Sequence, residues 1–216
     1  MRYLLIGNGE RVSASEINEA AQTSDFILAV DGGVHQLPPD VAPHIVAGDF
    51  DSASKNEVAK RFKDSEILDL QDQDQCDLEK CIELCLSRGA SKVALLGFCG
   101  GRSDHALTTY SVALKYARML EVTILNGEER IYVFNGMKSG HTRTVTFLPQ
   151  SVVSIIPFSE QVLVSASDLL WPVEQLTLYL GSRGQSNRAK LDRSTITVSD
   201  GLAVVTVFAT VIASGQ

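Results

Sequence analysis

The chain has 216 residues, 44% of them apolar and 21% charged, enough to build the core of one large domain or two small ones. Its formal net charge of −7 leaves no basic stripe of the kind that neutralises nucleic-acid phosphates, so DNA and RNA are not expected partners. No apolar stretch approaches the roughly 20 residues that span a bilayer, and the apolar core of "MRYLLIGNGE" is too short for a secretory signal, so no membrane partner and a cytoplasmic location are expected.

Up to residue 125, short apolar β-type runs alternate with helical patterns. The runs are "YLLI" (3–6), "FILAV" (26–30), "HIVA" (44–47), "EIL" (66–68), "KVALL" (92–96) and "VTIL" (122–125). Such alternation predicts a parallel sheet covered by helices. Ser13 with Glu16, and Ser54 with Glu57, match the S-x-x-E capping box and start helices over 14–23 and 55–63. In "DLEKCIELCLSRG", Leu78, Cys81, Ile82, Cys85 and Leu86 share one helical face, and Gly89 can end that helix. A fourth helix is predicted over 106–119. All four cysteines, Cys76, Cys81, Cys85 and Cys99, are expected as buried thiols, because they form no C-x-x-C pair and no histidine stands at zinc-ligand spacing.

After "NGEER" (126–130) only β-type runs follow, from "IYVF" to "LAVVTVF", rich in Thr, Val and turn residues. The expected fold is therefore an N-terminal parallel-sheet α/β domain (1–128) followed by a C-terminal all-β sandwich domain (129–216).

In an open parallel sheet, ligands bind beyond the carboxyl ends of the strands. Four polar clusters fall there: "DGG" (31–33), "GDFDS" (48–52), "DQDQCD" (72–77) and "GFCGGRSDH" (97–105). One aspartate at a strand end is usually a turn former. Four clusters at one rim point further, because Asp31, Asp49, Asp51, Asp74 and Asp77 would repel one another strongly unless a cation lay among them. With oxygen donors only, that cation is best Mg²⁺, which commonly bridges carboxylates to nucleotide phosphates. Lys80, one helical turn beyond Asp77, and Arg102, after the flexible Gly100–Gly101 pair, either hold phosphate oxygens or form ordinary surface ion pairs. "GNGE" (7–10) is too short for a dinucleotide fingerprint, and no P-loop occurs. Of the four histidines, His105 beside Asp104 reads as structural.

In the second half, Trp171 is the only tryptophan. It either packs into a core or offers a plate for a flat cationic ligand. Ser186 and Asn187, in "GSRGQSN", either make a turn or present donors and acceptors to a heteroaromatic edge.

Taken in order, "DGG", "GDFDS", "DQDQCDLEK", "GGRSDH", "LLWP" and "SN" resemble the thiamine pyrophosphokinase (thiamine diphosphokinase) family over nearly the whole chain. The resemblance implies an α/β nucleotide-binding domain with a β-sandwich, a homodimer with active sites between subunits, and ATP and thiamine as substrates. The implied reaction moves the β,γ-diphosphate of ATP to the thiamine hydroxyl, giving thiamine diphosphate and AMP. By motif, Asp49, Asp51 and Asp77 would hold Mg²⁺, Asp31 and Gln73 would lie beside the substrate, and Arg102 with Asp104 would lie near the phosphates. Trp171, Ser186 and Asn187 would line the thiamine site. The proton acceptor is Asp51 or Asp77. Two rival enzymes are a related diphosphokinase acting on a hydroxymethylpterin and a Mg²⁺-dependent phosphohydrolase suggested by the D-x-D of "DFDS"; a third reading is a non-catalytic nucleotide-binding module.

Overall fold

A computed structural model describes residues 1–72 and 74–208, so the Gln73 assignment lies outside the described residues. The strands belong to a large mixed sheet and a four-stranded antiparallel sheet. The chain divides into two compact units, Met1–Gly127 and Glu128–Gln216.

In the first unit, β1 (Arg2–Ile6), β2 (Phe26–Val30), β3 (Ile45–Gly48), β4 (Glu66–Asp69), β5 (Lys92–Leu96) and β6 (Glu121–Asn126) lie in the order β6-β5-β1-β2-β3-β4. Every pairing among them is parallel. Leu4, Leu5, Ile6, Leu28, Val46 and Ala47 are wholly buried, as expected of strands covered on both faces. From β1 the order runs one way through β2 and the other way through β5, which opens a crevice beyond the carboxyl ends of β1 and β5. Hydrogen bonds continue past both strands: the N–H groups of Gly7, Gly9 and Glu10 donate to the carbonyls of Leu96 (2.9 Å), Gly97 (2.7 Å) and Cys99 (3.0 Å).

The helices follow the apolar periodicity. At α1 (Ala14–Gln22) the capping box is complete, with Glu16 N–H donating to Ser13 Oγ (3.2 Å) and Ser13 N–H to Glu16 Oε2 (3.0 Å). At α2 (Lys55–Arg61) the predicted box is absent, since the Ser54 side chain makes no capping bond although its backbone occupies the cap position. The helix is held instead at its other end, where Arg61 donates to the carbonyls of Val34 and Leu37. In α3 (Asp77–Ser87) Leu78, Cys81, Ile82 and Cys85 are buried as predicted. Beyond it Gly89 adopts φ +79°, a left-handed conformation that ends the helix, with Ala90 N–H bonded back to Cys85 O (2.9 Å). Of the thiols, Cys81, Cys85 and Cys99 are buried, but Cys76 is exposed, because the N-terminal turn of α3 lies at the mouth of the crevice. Helix α4 (Ser103–Tyr116) starts three residues before its predicted position and packs on α3, where Tyr116 O–H donates to Glu83 Oε1 (2.5 Å) and Lys115 pairs with Glu79.

The second unit holds β7 (Glu129–Asn135), β8 (His141–Thr146), β9 (Val152–Pro157), β10 (Gln161–Ala166), β11 (Val173–Tyr179), β12 (Asn187–Arg188), β13 (Arg193–Asp200) and β14 (Leu202–Phe208). Two antiparallel arrays result, β12-β9-β14-β7 and β11-β10-β13-β8. Alternate residues point inward with period two, for example Val162, Val164 and Ala166 on β10 and Ser194, Ile196 and Val198 on β13. One apolar core draws on both arrays, centred on Phe134, Val153, Val164, Ile196 and Val205. No helix among the described residues is long and apolar enough to cross a membrane.

Candidate active site

Asp31 directly follows β2, and its backbone turns into a short 3₁₀ segment (Asp31–His35) through a left-handed φ of +43°. The residue is only 9% exposed, and its Oδ1 is a buried oxygen with no hydrogen-bond partner among the described residues. A buried, unpartnered carboxylate oxygen costs free energy, so it marks a place built for a cation or donor. Gly48, at the end of β3, allows Asp31 to come this close: a Cβ there would stand 2.8 Å from that of Asp31.

Asp49 follows immediately. Its Oδ1 accepts the N–H of Asp51 (3.2 Å), while Phe50 between them takes φ +60°. This tight local turn folds "GDFDS" back on itself, so Asp49 and Asp51 face the same way as Asp31. Carboxylate oxygens of Asp31, Asp49 and Asp51 lie within 4.8 Å of one another. An all-oxygen cluster of this density fits a hard divalent cation, and the orphan oxygen of Asp31 gives a second reason for one. The trio thus drawn together contains Asp31, one of the five acids grouped by the strand-end pattern, whereas the family resemblance implies Asp77 as the third metal ligand.

Asp77 opens α3 and lines the same cavity. Burial pushes its carboxyl above the usual carboxylate range, Lys80 opposes that shift, and the nearby charges of Asp49 and Asp31 add to it. Its Oδ1 is 2.6 Å from Lys80 Nζ. Lys80 is itself buried and also donates to the carbonyls of Leu70 (2.8 Å) and Asp72 (3.1 Å). Three oxygens therefore surround a group with three donors. Asp74, counted with the acids at the sequence level, is exposed, and its N–H caps onto Asp72 Oδ1 (2.8 Å).

Across the cavity, Arg102 and Asp104 form a two-bond pair: Nε to Oδ1 at 3.1 Å and Nη2 to Oδ2 at 2.6 Å. Both are largely exposed. The guanidinium holds the Asp104 carboxyl below its usual range and keeps N–H groups free of Asp104 for another anion. The cavity encloses about 610 Å³, and Gly7, Asn8, Gly9, Gly97 and Phe98 line it beside the charged residues. Asn8 was missed by sequence reasoning, which judged "GNGE" only as a failed fingerprint. The usable signal was its place at the end of β1, one side of the crevice.

Trp171, Ser186 and Asn187 sit in the second unit. Trp171 is 55% exposed, so its indole is not core packing. Asn187 is buried, and its amide serves the backbone: Oδ1 accepts from the N–H of Trp171 (3.1 Å) and Arg188 (2.8 Å), and Nδ2 donates to Trp171 O (2.8 Å). Ser186 adopts φ +62°, with its N–H bonded to Ser154 Oγ (3.0 Å).

Residues 17–124 match the family model for the catalytic domain of thiamin pyrophosphokinase. Thiamin pyrophosphokinase 1 of Caenorhabditis elegans is 26% identical over 186 residues, covering 81% of this chain and 75% of that protein. Among solved structures, thiamine pyrophosphokinase from Bacillus subtilis superposes with a TM-score of 0.79 at 18% identity, over 98% of this chain and 100% of that one. The Geobacillus thermodenitrificans enzyme gives 0.77 at 23% identity, over 98% and 99%. The family model spans half of the chain, and it covers β2 through β5 with every acid of the carboxylate cluster. This chain belongs to the thiamin pyrophosphokinase family.

Proposed function

We propose that the protein is a thiamine diphosphokinase that binds ATP with Mg²⁺ in the 610 Å³ cavity and transfers the β,γ-diphosphate to the hydroxyl of thiamine. The observation that carries the reading is the convergence of Asp31, Asp49 and Asp51, from two different strand ends, in a chain of this family. In the reaction the thiamine oxygen bonds to the β-phosphorus, the bond from that phosphorus to the α,β-bridging oxygen breaks, and AMP leaves with the bridging oxygen. The hydroxyl proton passes to a carboxylate of the rim, Asp51 or Asp77. Bound among these carboxylates, Mg²⁺ would neutralise phosphate charge and orient the polyphosphate.

The chain's own residues supply the rest. Arg102, aligned by Asp104, has donors left for phosphate oxygens. Trp171 offers an exposed ring to the cationic thiazolium, with its backbone held by Asn187. The reading includes an α/β nucleotide-binding domain, a β-sandwich, a cytoplasmic location and a homodimer with active sites between subunits. Neither a pterin acceptor nor a phosphohydrolase is favoured by the family match. The test is to incubate purified protein with ATP, Mg²⁺ and thiamine and identify products by mass. Thiamine diphosphate and AMP in equal amounts support the proposal; ADP or inorganic phosphate as the sole product overturns it.

A further inference from the structure

We infer that Lys80 is a positioning residue that ties the connections after β3 and β4 to the start of α3, and that it does not contact phosphate. Its Nζ reaches Leu70 O at 2.8 Å, Asp72 O at 3.1 Å and Asp77 Oδ1 at 2.6 Å. Two of the three N–H donors of this ammonium go to backbone carbonyls, and its charge pairs with the Asp77 carboxylate. The side chain lines the cavity but is only 7% exposed, and its charge is already matched by these three protein oxygens.

The three oxygens belong to segments that carry the acidic cluster. Leu70 N–H donates to Gly48 O (2.9 Å), the residue before Asp49, while Leu70 O accepts from Lys80. One lysine thus links the backbone that presents Asp49 to the helix that presents Asp77. Removing it would strand two carbonyls and a half-buried carboxylate without their cation, whereas an exposed phosphate ligand could be removed with no change in the ligand-free protein.

The kinetic half of this inference rests on the diphosphokinase reading; the exchange half does not. Hydrogen exchange is measured on protein free of metal and nucleotide. In Lys80→Met the amides at the end of β4 and in the first turn of α3 exchange faster by about tenfold or more, with those of α1 unchanged. Unchanged exchange at β4 and α3 overturns the inference. In turnover assays kcat falls while KM for ATP stays within about twofold; a KM rise of about tenfold with kcat retained would identify a phosphate ligand and also overturn it. Should Lys80→Met fail to fold, Lys80→Gln keeps donors for the carbonyls but no charge for Asp77. Its exchange is expected between wild type and full loss, and wild-type exchange combined with a raised KM would reject the role.

Discussion

Asp49 and Asp51 are two residues apart yet meet different surroundings. Asp49 is partly buried and caps the turn by accepting the Asp51 N–H, while Asp51 is exposed and accepts from Ser52 Oγ (2.8 Å). Asp51→Asn keeps the volume and the Ser52 bond but removes the charge. At saturating Mg²⁺ its turnover is expected to fall by about 10²-fold or more, the scale of a lost base or metal ligand, and near-normal turnover would remove Asp51 from both roles. At this scale the convergence of Asp31, Asp49 and Asp51 was legible because their motifs fall at the carboxyl ends of parallel strands. The internal partners of Lys80 and Asn187 were not. Both are residue types that could serve a ligand, and only the structure reveals that backbone carbonyls and amides already occupy them.

The capping box shows how far an element can be read from its letters. Ser13-Glu16 and Ser54-Glu57 carry the same signature, yet only the first closes both reciprocal bonds. Likewise α4 begins at Ser103, with no side-chain cap on Arg102 and with Asp104 in the first turn, where a negative charge favours the helix dipole. Glycines of the site are set by close approach: a Cβ on Gly33 would stand 2.0 Å from the Ile6 carbonyl oxygen, so the 3₁₀ turn after Asp31 lies directly on β1. Gly33→Ala is therefore expected to cost roughly 2–3 kcal/mol or more in urea melts, with activity lost alongside, since the neighbouring atom is backbone and cannot swing away. A cost under about 0.5 kcal/mol would mean that the turn can move off β1 freely.

For the molecule as a whole, the −7 net charge and the aspartate cluster mean that the proposed divalent ion would act on stability as well as on catalysis. The cluster is assembled only in the folded chain, so Mg²⁺ held there as proposed would bind that state preferentially. At a tenfold excess over its dissociation constant it should add about 1.4 kcal/mol, or roughly 3–6 °C in Tm for a chain of this size. Asp49→Asn should abolish most of that rise in a thermal melt with and without Mg²⁺. An equal rise in both proteins would place the ion elsewhere.

By itself the sequence determined the two patterns, strands alternating with helices and then strands alone, together with most helix faces and the motif set that marks the family. These are carried by neighbours a few residues apart, where periodicity and turn chemistry act. Only the tertiary structure decided that β5 lies beside β1, that Asp31 and not Asp77 completes the tightest trio with Asp49 and Asp51, that Cys76 is exposed and that Lys80 is buried against three protein oxygens. Those outcomes depend on which distant segments pack together, and on the need of every buried polar group for a partner that local sequence does not name.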